Sequence, residues 1–436
     1  MGIILFSCSE IEQIEQIEEF DIESTTDLDQ LHQICYLDTA FKRNVPLQGF
    51  YKDIFMDAGA YLKTRKSLSA ASYLGYSLES VSLDDNSDTL WQNNVIGGNG
   101  DDLNGRLLYP DGQPRYRTIF VCGGSSRSHG KSLRPSCLNR MRTFVHNGGS
   151  YVGTCAGAFF ASEGYDDNPN YPYYLGIWPG IVRHTGLVQI YTGMIVDDSS
   201  PLLHYYDFGN DNYVADVRHN KGGYAAQWPE GTELLASYDC PEYPSVHEKP
   251  AAWAYKANLF SGRVILEGSH PEEVNKGECR DFTAAMLSYA VDGVGETTIK
   301  GILNCGEPWI MDKTTLDSDP AHTMIGDLQY HHFVVYIPEN ARDVDIILTS
   351  SADCDLQLSL CSDTYAYADV ADYVSSNSGA NQELIFPSLT EGYWYIAVQC
   401  LTTVTAEDTP LGQNYYGRTD VLNGIPYSLL VRFQQL

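Results

Sequence analysis

Two short runs hold the residues best suited to covalent chemistry. In Gly153-Thr154-Cys155-Ala156-Gly157-Ala158 a thiol stands with a glycine two positions to either side. A nucleophile carried on a strand-to-helix turn needs strained backbone angles, and its flanking chain comes so close that Gly153 and Gly157 suit where larger residues would not. Such a turn lifts the sulfur of Cys155 above a sheet, and the helix that follows points its N-terminus at it, a setting that activates a thiol. The N–H of Ala156, with one from Gly123-Gly124, is placed to form an oxyanion hole. In Gly268-Ser269-His270-Pro271-Glu272, His270 offers a base and Glu272, two residues on, a carboxylate to orient it. No H-E-x-x-H or paired C-x-x-C occurs, so neither a metal nor another cofactor is implied.

For these runs to meet, each must follow a strand. Tyr116–Cys122 is apolar and β-branched and stops at Gly123-Gly124; Ser150–Gly153 runs into the Cys155 turn; Arg263–Glu267 precedes Gly268. Asp53–Asp57 and Ser77–Ser82 read as earlier strands, with a helix over Thr64–Leu74 between them. Pro135–His146 predicts a helix, because Leu138, Met141, Phe144 and Val145 share one face and Asn147-Gly148-Gly149 supplies a stop. A last apolar helix spans Phe282–Val291. Strands alternating with helices predict an α/β domain with a three-layer, mostly parallel sheet and functional residues at the carboxyl ends of its strands. Between elbow and histidine, the aromatic, turn-rich run Asp166–Tyr174 is expected to build the substrate wall, with Phe159, Tyr173 and Trp178 as pocket residues.

After Gly293-Val294-Gly295 the helical period gives way to alternation. Phe333–Ile337, Asp343–Leu348, Asp355–Leu360, Glu383–Phe386, Gly392–Val398 and Tyr427–Phe433 read as strands of an all-β sandwich. The expected organisation is residues 1–45 as a leader remnant and acidic spacer, 46–292 as the α/β domain and 293–436 as the sandwich, each of the two larger parts closing its own core. Leu5-Phe6-Ser7-Cys8 is similar to a bacterial lipobox, which makes Cys8 a lipidation candidate and predicts an extracytoplasmic, surface-anchored protein. The formal charge of −30 argues against a nucleic-acid partner, and no run approaches the roughly 20 apolar residues of a membrane-spanning helix. The expected partner is a small-molecule or peptide substrate. Eleven cysteines cannot all pair, and no disulfide is inferred.

In combination, G-x-C-x-G after one strand and H-P-E after another resemble the catalytic triad of the class I glutamine amidotransferase-like superfamily. The longer run Gly153–Ala161, Gly-Thr-Cys-Ala-Gly-Ala-Phe-Phe-Ala, looks most like the branch that includes the N-terminal domain of biotin–protein ligases. The resemblance covers about residues 50–292 and implies Cys155 as nucleophile, His270 as general base and Glu272 as its orienter. The chain departs from it at Phe159, where glutamine-using members commonly carry Gln. The implied activity is therefore a cysteine-dependent hydrolase acting on an amide or peptide C–N bond other than that of free glutamine. A cyanophycinase- or dipeptidase-like peptidase with Cys in place of Ser is a rival reading, as is a surface binding protein that keeps the fold without the chemistry. Asp355-Leu-Gln-Leu, Asn381-Gln-Glu-Leu and Glu391-Gly-Tyr-Trp-Tyr-Ile-Ala-Val give the C-terminal part a resemblance to the bacterial pre-peptidase C-terminal domain, an accessory module of exported hydrolases.

Overall fold

Along Tyr116–Val121, Ser150–Thr154 and Val264–Glu267 both faces of each strand are apolar, and all three are buried almost throughout. Strands of this kind belong in the middle of a sheet covered on both sides. The structure, a computed structural model, describes residues 52–57, 74, 78–81, 89–100, 102–274, 276–409 and 412–435. The expectations placed on Cys8, on residues 1–45 and on all but the last residue of Thr64–Leu74 lie outside the described residues.

The first strands are β1 (Lys52–Asp57), β2 (Leu78–Val81), β3 (Tyr116–Val121) and β4 (Ser150–Thr154), followed by β5 (Ser162–Tyr165), β6 (Trp178–His184), β7 (Val188–Val196) and β8 (Tyr213–Asn220). Then come β9 (Gly223–Ala225), β10 (Thr232–Asp239), β11 (Pro250–Tyr255) and β12 (Val264–Glu267). The helices are α1 (Thr89–Gly97), α2 (Ser126–Ser132), α3 (Pro135–His146), α4 (Ala156–Ala161) and α5 (Gly277–Val291). One nine-stranded sheet runs in the order β2-β1-β3-β4-β12-β11-β10-β7-β8.

Alternate residues of the central strands point to opposite faces. Phe120, Val152 and Ile265 pack under α5 through Phe282, Ala285 and Met286, while Ile119, Val121, Tyr151, Val264 and Leu266 pack against Leu138, Met141 and Phe144 of α3 and Phe160 of α4. Helix α3 has the bounds and the buried face that its period predicts.

The sheet is mixed and not mostly parallel. β2, β1, β3, β4 and β12 pair in parallel, but β12–β11, β11–β10, β10–β7 and β7–β8 are antiparallel. The physical reason is that β10 joins β11, and β11 joins β12, through loops too short for the helical crossover that parallel strands need, and among the described residues no α-helix lies between β7 and β12. This antiparallel half curls back over the carboxyl edge of the parallel half: Arg218 of β8 forms a bridge with His270, and Gly223 N donates to Gly268 O at 2.7 Å.

Beyond α5 the chain is β-rich. One five-stranded sheet contains Tyr330–Ile337, Leu356–Cys361 and Gly392–Cys400, and a four-stranded sheet contains Ala341–Thr349, Gln382–Phe386 and Tyr427–Gln435. Phe333, Ile346, Leu358, Ile396 and Val431 fill the space between them. No helix among the described residues is long and apolar enough to cross a membrane.

Candidate active site

β3, β4 and β12 are neighbours and run in the same direction, so their carboxyl ends share one edge. The register sets Val121 beside Gly153 and Thr154 beside Glu267. The three segments that leave this edge are Gly123-Gly124, the Cys155 turn and the loop that carries His270. Residues more than a hundred positions apart are thereby brought into contact.

Cys155 takes φ 48° and ψ −105° between β4 and α4. A non-glycine residue in that region is strained, and surrounding structure has to hold it. Here Cys155 N donates to Glu267 O at 2.8 Å, while its own carbonyl accepts from Ala158 and Phe159 in the first turn of α4. The flanking glycines are required by contact. A Cβ on Gly157 would lie 2.0 Å from Val121 O, and one on Gly153 2.6 Å from the Gly157 carbonyl carbon. The Cys155 side chain is almost closed from solvent, with Sγ 4.0 Å from Asn220 O at the end of β8.

His270 and Glu272 are also buried. His270 Nδ1 is 3.1 Å from Glu272 Oε1, which leaves Nε2 for Cys155, whose side chain lies close enough to act on the charge of the ring. Thr154 Oγ1 donates to the same Glu272 oxygen at 2.8 Å. Burial of the imidazole opposes its charged form, but the charge at Cys155 and then that of Glu272 outweigh this and push His270 up to about 11. The ring lies directly over Gly123, where a Cβ would come within 2.2 Å of Cε1. Gly124, at φ 146°, is exposed beside it. Gly123 thus lies against the His270 ring, and the first N–H groups of α4, including that of Ala156, lack intrahelical acceptors.

The three predicted pocket residues separate. Phe159 lies one helical turn beyond Cys155, buried, with its ring centroid 4.5 Å from that of His184. Tyr173 is 41% exposed and packs beside α2, with Lys131 Nζ 5.6 Å from its ring centroid. Trp178 requires a correction: it is fully buried, its indole 5.1 Å from that of Trp253 and its Nε1 donating to Thr232 Oγ1, so it presents no surface to a ligand. Its large apolar area is used in the core.

Sequence reasoning missed Thr154, Glu267 and the Arg218–Asn220 strand. Thr154 and Glu267 were readable only as polar residues at the ends of apolar strands. Arg218–Asn220 reaches the site only because the antiparallel half of the sheet curls.

A family model described as biotin–protein ligase, N terminal, matches residues 113–168, the stretch that holds β3, Gly123-Gly124, β4 and the Cys155 turn. The biotin–protein ligase of Schizosaccharomyces pombe is 24% identical over 220 residues, which cover 45% of this chain and 32% of that protein. The chain thus spans about a third of the length of this curated relative. Among solved structures, a glutamine amidotransferase is 16% identical with a TM-score of 0.35, covering 54% of this chain and 98% of its own. The pre-peptidase C-terminal domain of a Bacillus anthracis collagenase is 13% identical with a TM-score of 0.19, covering 32% of this chain and 100% of its own. In sequence, therefore, the chain is related to the N-terminal part of biotin–protein ligases, and the family match falls on the segment that holds the thiol.

Proposed function

We propose that the protein is a cysteine-dependent hydrolase that cleaves an amide or peptide C–N bond. One observation carries this reading: Glu272 Oε1 meets both His270 Nδ1 and Thr154 Oγ1 in a buried setting, which fixes the imidazole near Cys155 and leaves its other nitrogen for proton transfer. A histidine tied on one side to a carboxylate and standing near a thiol is built for proton transfer. In the proposed cycle the Cys155 sulfur attacks the carbonyl carbon, and the resulting oxyanion is met by N–H groups of Ala156 and the Gly123-Gly124 turn. As the C–N bond breaks, the His270 imidazolium gives its Nε2 proton to the departing amine and leaves a thioester on Cys155. Neutral His270 then takes a proton from water, whose oxygen attacks the thioester; the carboxylic acid departs and the starting pair is restored.

Phe159 favours an amide other than free glutamine. Its buried ring, packed on His184, offers no hydrogen bond to an amide group leaving water, and each unmet polar group costs about 1–3 kcal/mol. Release of amine from peptide and amide libraries, and of ammonia from glutamine, tests the proposal. Cys155→Ala and His270→Ala should each abolish turnover of the library substrate while circular dichroism shows an intact fold. Substantial activity in either variant sinks the assignment, and saturable glutamine turnover sinks the reading of Phe159.

A further inference from the structure

Behind the Cys155–His270 pair lies a second carboxyl group that the proposed cycle does not use. Glu267 closes β12 and is completely buried. Its main chain and side chain serve the two halves of the site at once. The Glu267 carbonyl accepts the N–H of Cys155 at 2.8 Å, and so supports the strained turn at the nucleophile. The side chain curls over the next two residues: Oε2 accepts the N–H of Ser269 at 2.8 Å, and Oε1 is in hydrogen-bond contact with Ser269 Oγ. Ser269 immediately precedes His270. Among the described residues Glu267 forms no ion pair with a cationic side chain, and a carboxylate so enclosed would stand close to the charge of Glu272.

We propose that Glu267 is a positioning residue for the Cys155–His270 pair, holding the Ser269–His270 turn as a neutral carboxylic acid. In that form Oε1–H donates to the Ser269 hydroxyl while Oε2 accepts from the Ser269 N–H, so one group satisfies both partners. Other features support the neutral state. Burial raises the acid, hydrogen bonds from Ser269 lower it, the Glu272 charge raises it, the His270 charge lowers it, and Glu267 settles at about 8. The groups facing it are Ser269, His270 and Glu272 from its own loop, Tyr238 from β10 and Cys279 from α5. Burial holds Tyr238 well above its ordinary range and pushes Cys279 up to about 12, so neither changes charge where Glu267 does. Ionisation of Glu267 would reverse the acid's bond to Ser269, with the Ser269 hydroxyl then donating to Oε1, and would add a negative charge close to those of Glu272 and His270.

This inference rests on the reading of Cys155 as an activated thiol, and the test separates the two. The full chain, Glu267→Gln and Glu267→Leu are alkylated with iodoacetamide between pH 6 and 10, and labelling of the Cys155 peptide is followed by mass spectrometry. The wild-type rate should break near the pH at which Glu267 ionises, about 8. Glu267→Gln, which copies the neutral acid's donor and acceptor, should react at pH 7 within about twofold of wild type and lack that break. Glu267→Leu should react at least about tenfold more slowly, since small misplacements of reacting groups are costly. A Glu267→Gln profile that keeps the break overturns the proposal, as does a folded Glu267→Leu that reacts like wild type. If Glu267→Leu does not fold, the Glu267→Gln profile decides alone. A wild-type Cys155 no faster than free cysteine overturns the hydrolase reading and this inference together.

Discussion

Thr154 stands one residue before the nucleophile, is fully closed from solvent, and donates to the carboxylate oxygen that His270 Nδ1 also meets. Glu272 has a second oxygen, Oε2, that finds no hydrogen-bond partner among the described residues. The carboxylate is therefore held in place largely through Oε1, and Thr154 is half of that support. Replacing it by Val keeps the shape but leaves His270 as the sole partner of Oε1. Loss of one hydrogen bond to a buried charged group is worth roughly 1–3 kcal/mol, so kcat should drop by about 10-fold to 100-fold with KM little changed. Thr154→Ser, which retains the hydroxyl, should recover most of the rate. Equal losses in Val and Ser would mean that Thr154 matters for packing alone.

At the level of elements, what makes the site is the adjacency of three parallel strand ends, and one tight joint lies between β3 and the first turn of α4. Gly157 touches the Val121 carbonyl so closely that a methyl group there would sit 2.0 Å from the oxygen. That oxygen belongs to the backbone of a central strand and cannot swing aside. Gly157→Ala should therefore push α4 away from β3, cost about 1–3 kcal/mol of stability by overpacking, and slow alkylation of Cys155. Unchanged stability and reactivity would show that the joint is softer than its geometry. The elements that build this joint were legible in the sequence because each has a local signature: β-branched strands, glycine stops, an amphipathic helix at Pro135–His146, and the Gly153–Gly157 spacing. The antiparallel half had none of comparable strength. β7, β8 and β10 mix exposed and buried positions with bulges in their registers, so strict alternation is broken. Trp178 shows the same limit at one residue, since aromatic character alone does not separate a pocket wall from a core.

Taken as a whole, the described residues between Pro46 and Leu436 belong to one compact unit, in which the segment leading into β3 is embedded in the β-rich part. Arg115, immediately before β3, forms a fully buried ion pair with Asp327; Lys300 Nζ is 2.6 Å from Asp111 Oδ2, and His331 Nε2 is 3.6 Å from the same oxygen. Asp327→Asn strands the Arg115 charge and should cost about 3–5 kcal/mol, read as a lower urea midpoint, while Arg115→Met with Asp327→Leu should recover most of it. The same burial sets how stability responds to acid. Burial holds His219 and His331 down to about 4, and His332 to about 3, with the nearby charges of His270, Lys300 and His331 adding to it. Each is neutral in the fold but takes up a proton near pH 6.5 once unfolded, so its contribution is present above that pH and is lost as pH falls toward the folded value. Glu267 acts the other way, because it keeps its proton in the fold up to about pH 8 while the unfolded chain releases it above about 4.5. His270 is protonated in both states below pH 6.5 and drops out. Near pH 5.5 the unfolded chain thus binds three extra protons against one in the fold, a net of two, and stability should decline by roughly 2–3 kcal/mol per pH unit. His332 sits among the rings of Tyr330, Tyr365 and Tyr367, where a phenyl ring fits, so His332→Phe should halve that slope. Urea midpoints at pH 6.5, 5.5 and 4.5 provide the measurement. A midpoint that holds steady or rises with acid, or a slope unchanged by His332→Phe, would mean that these histidines are not buried as neutral groups.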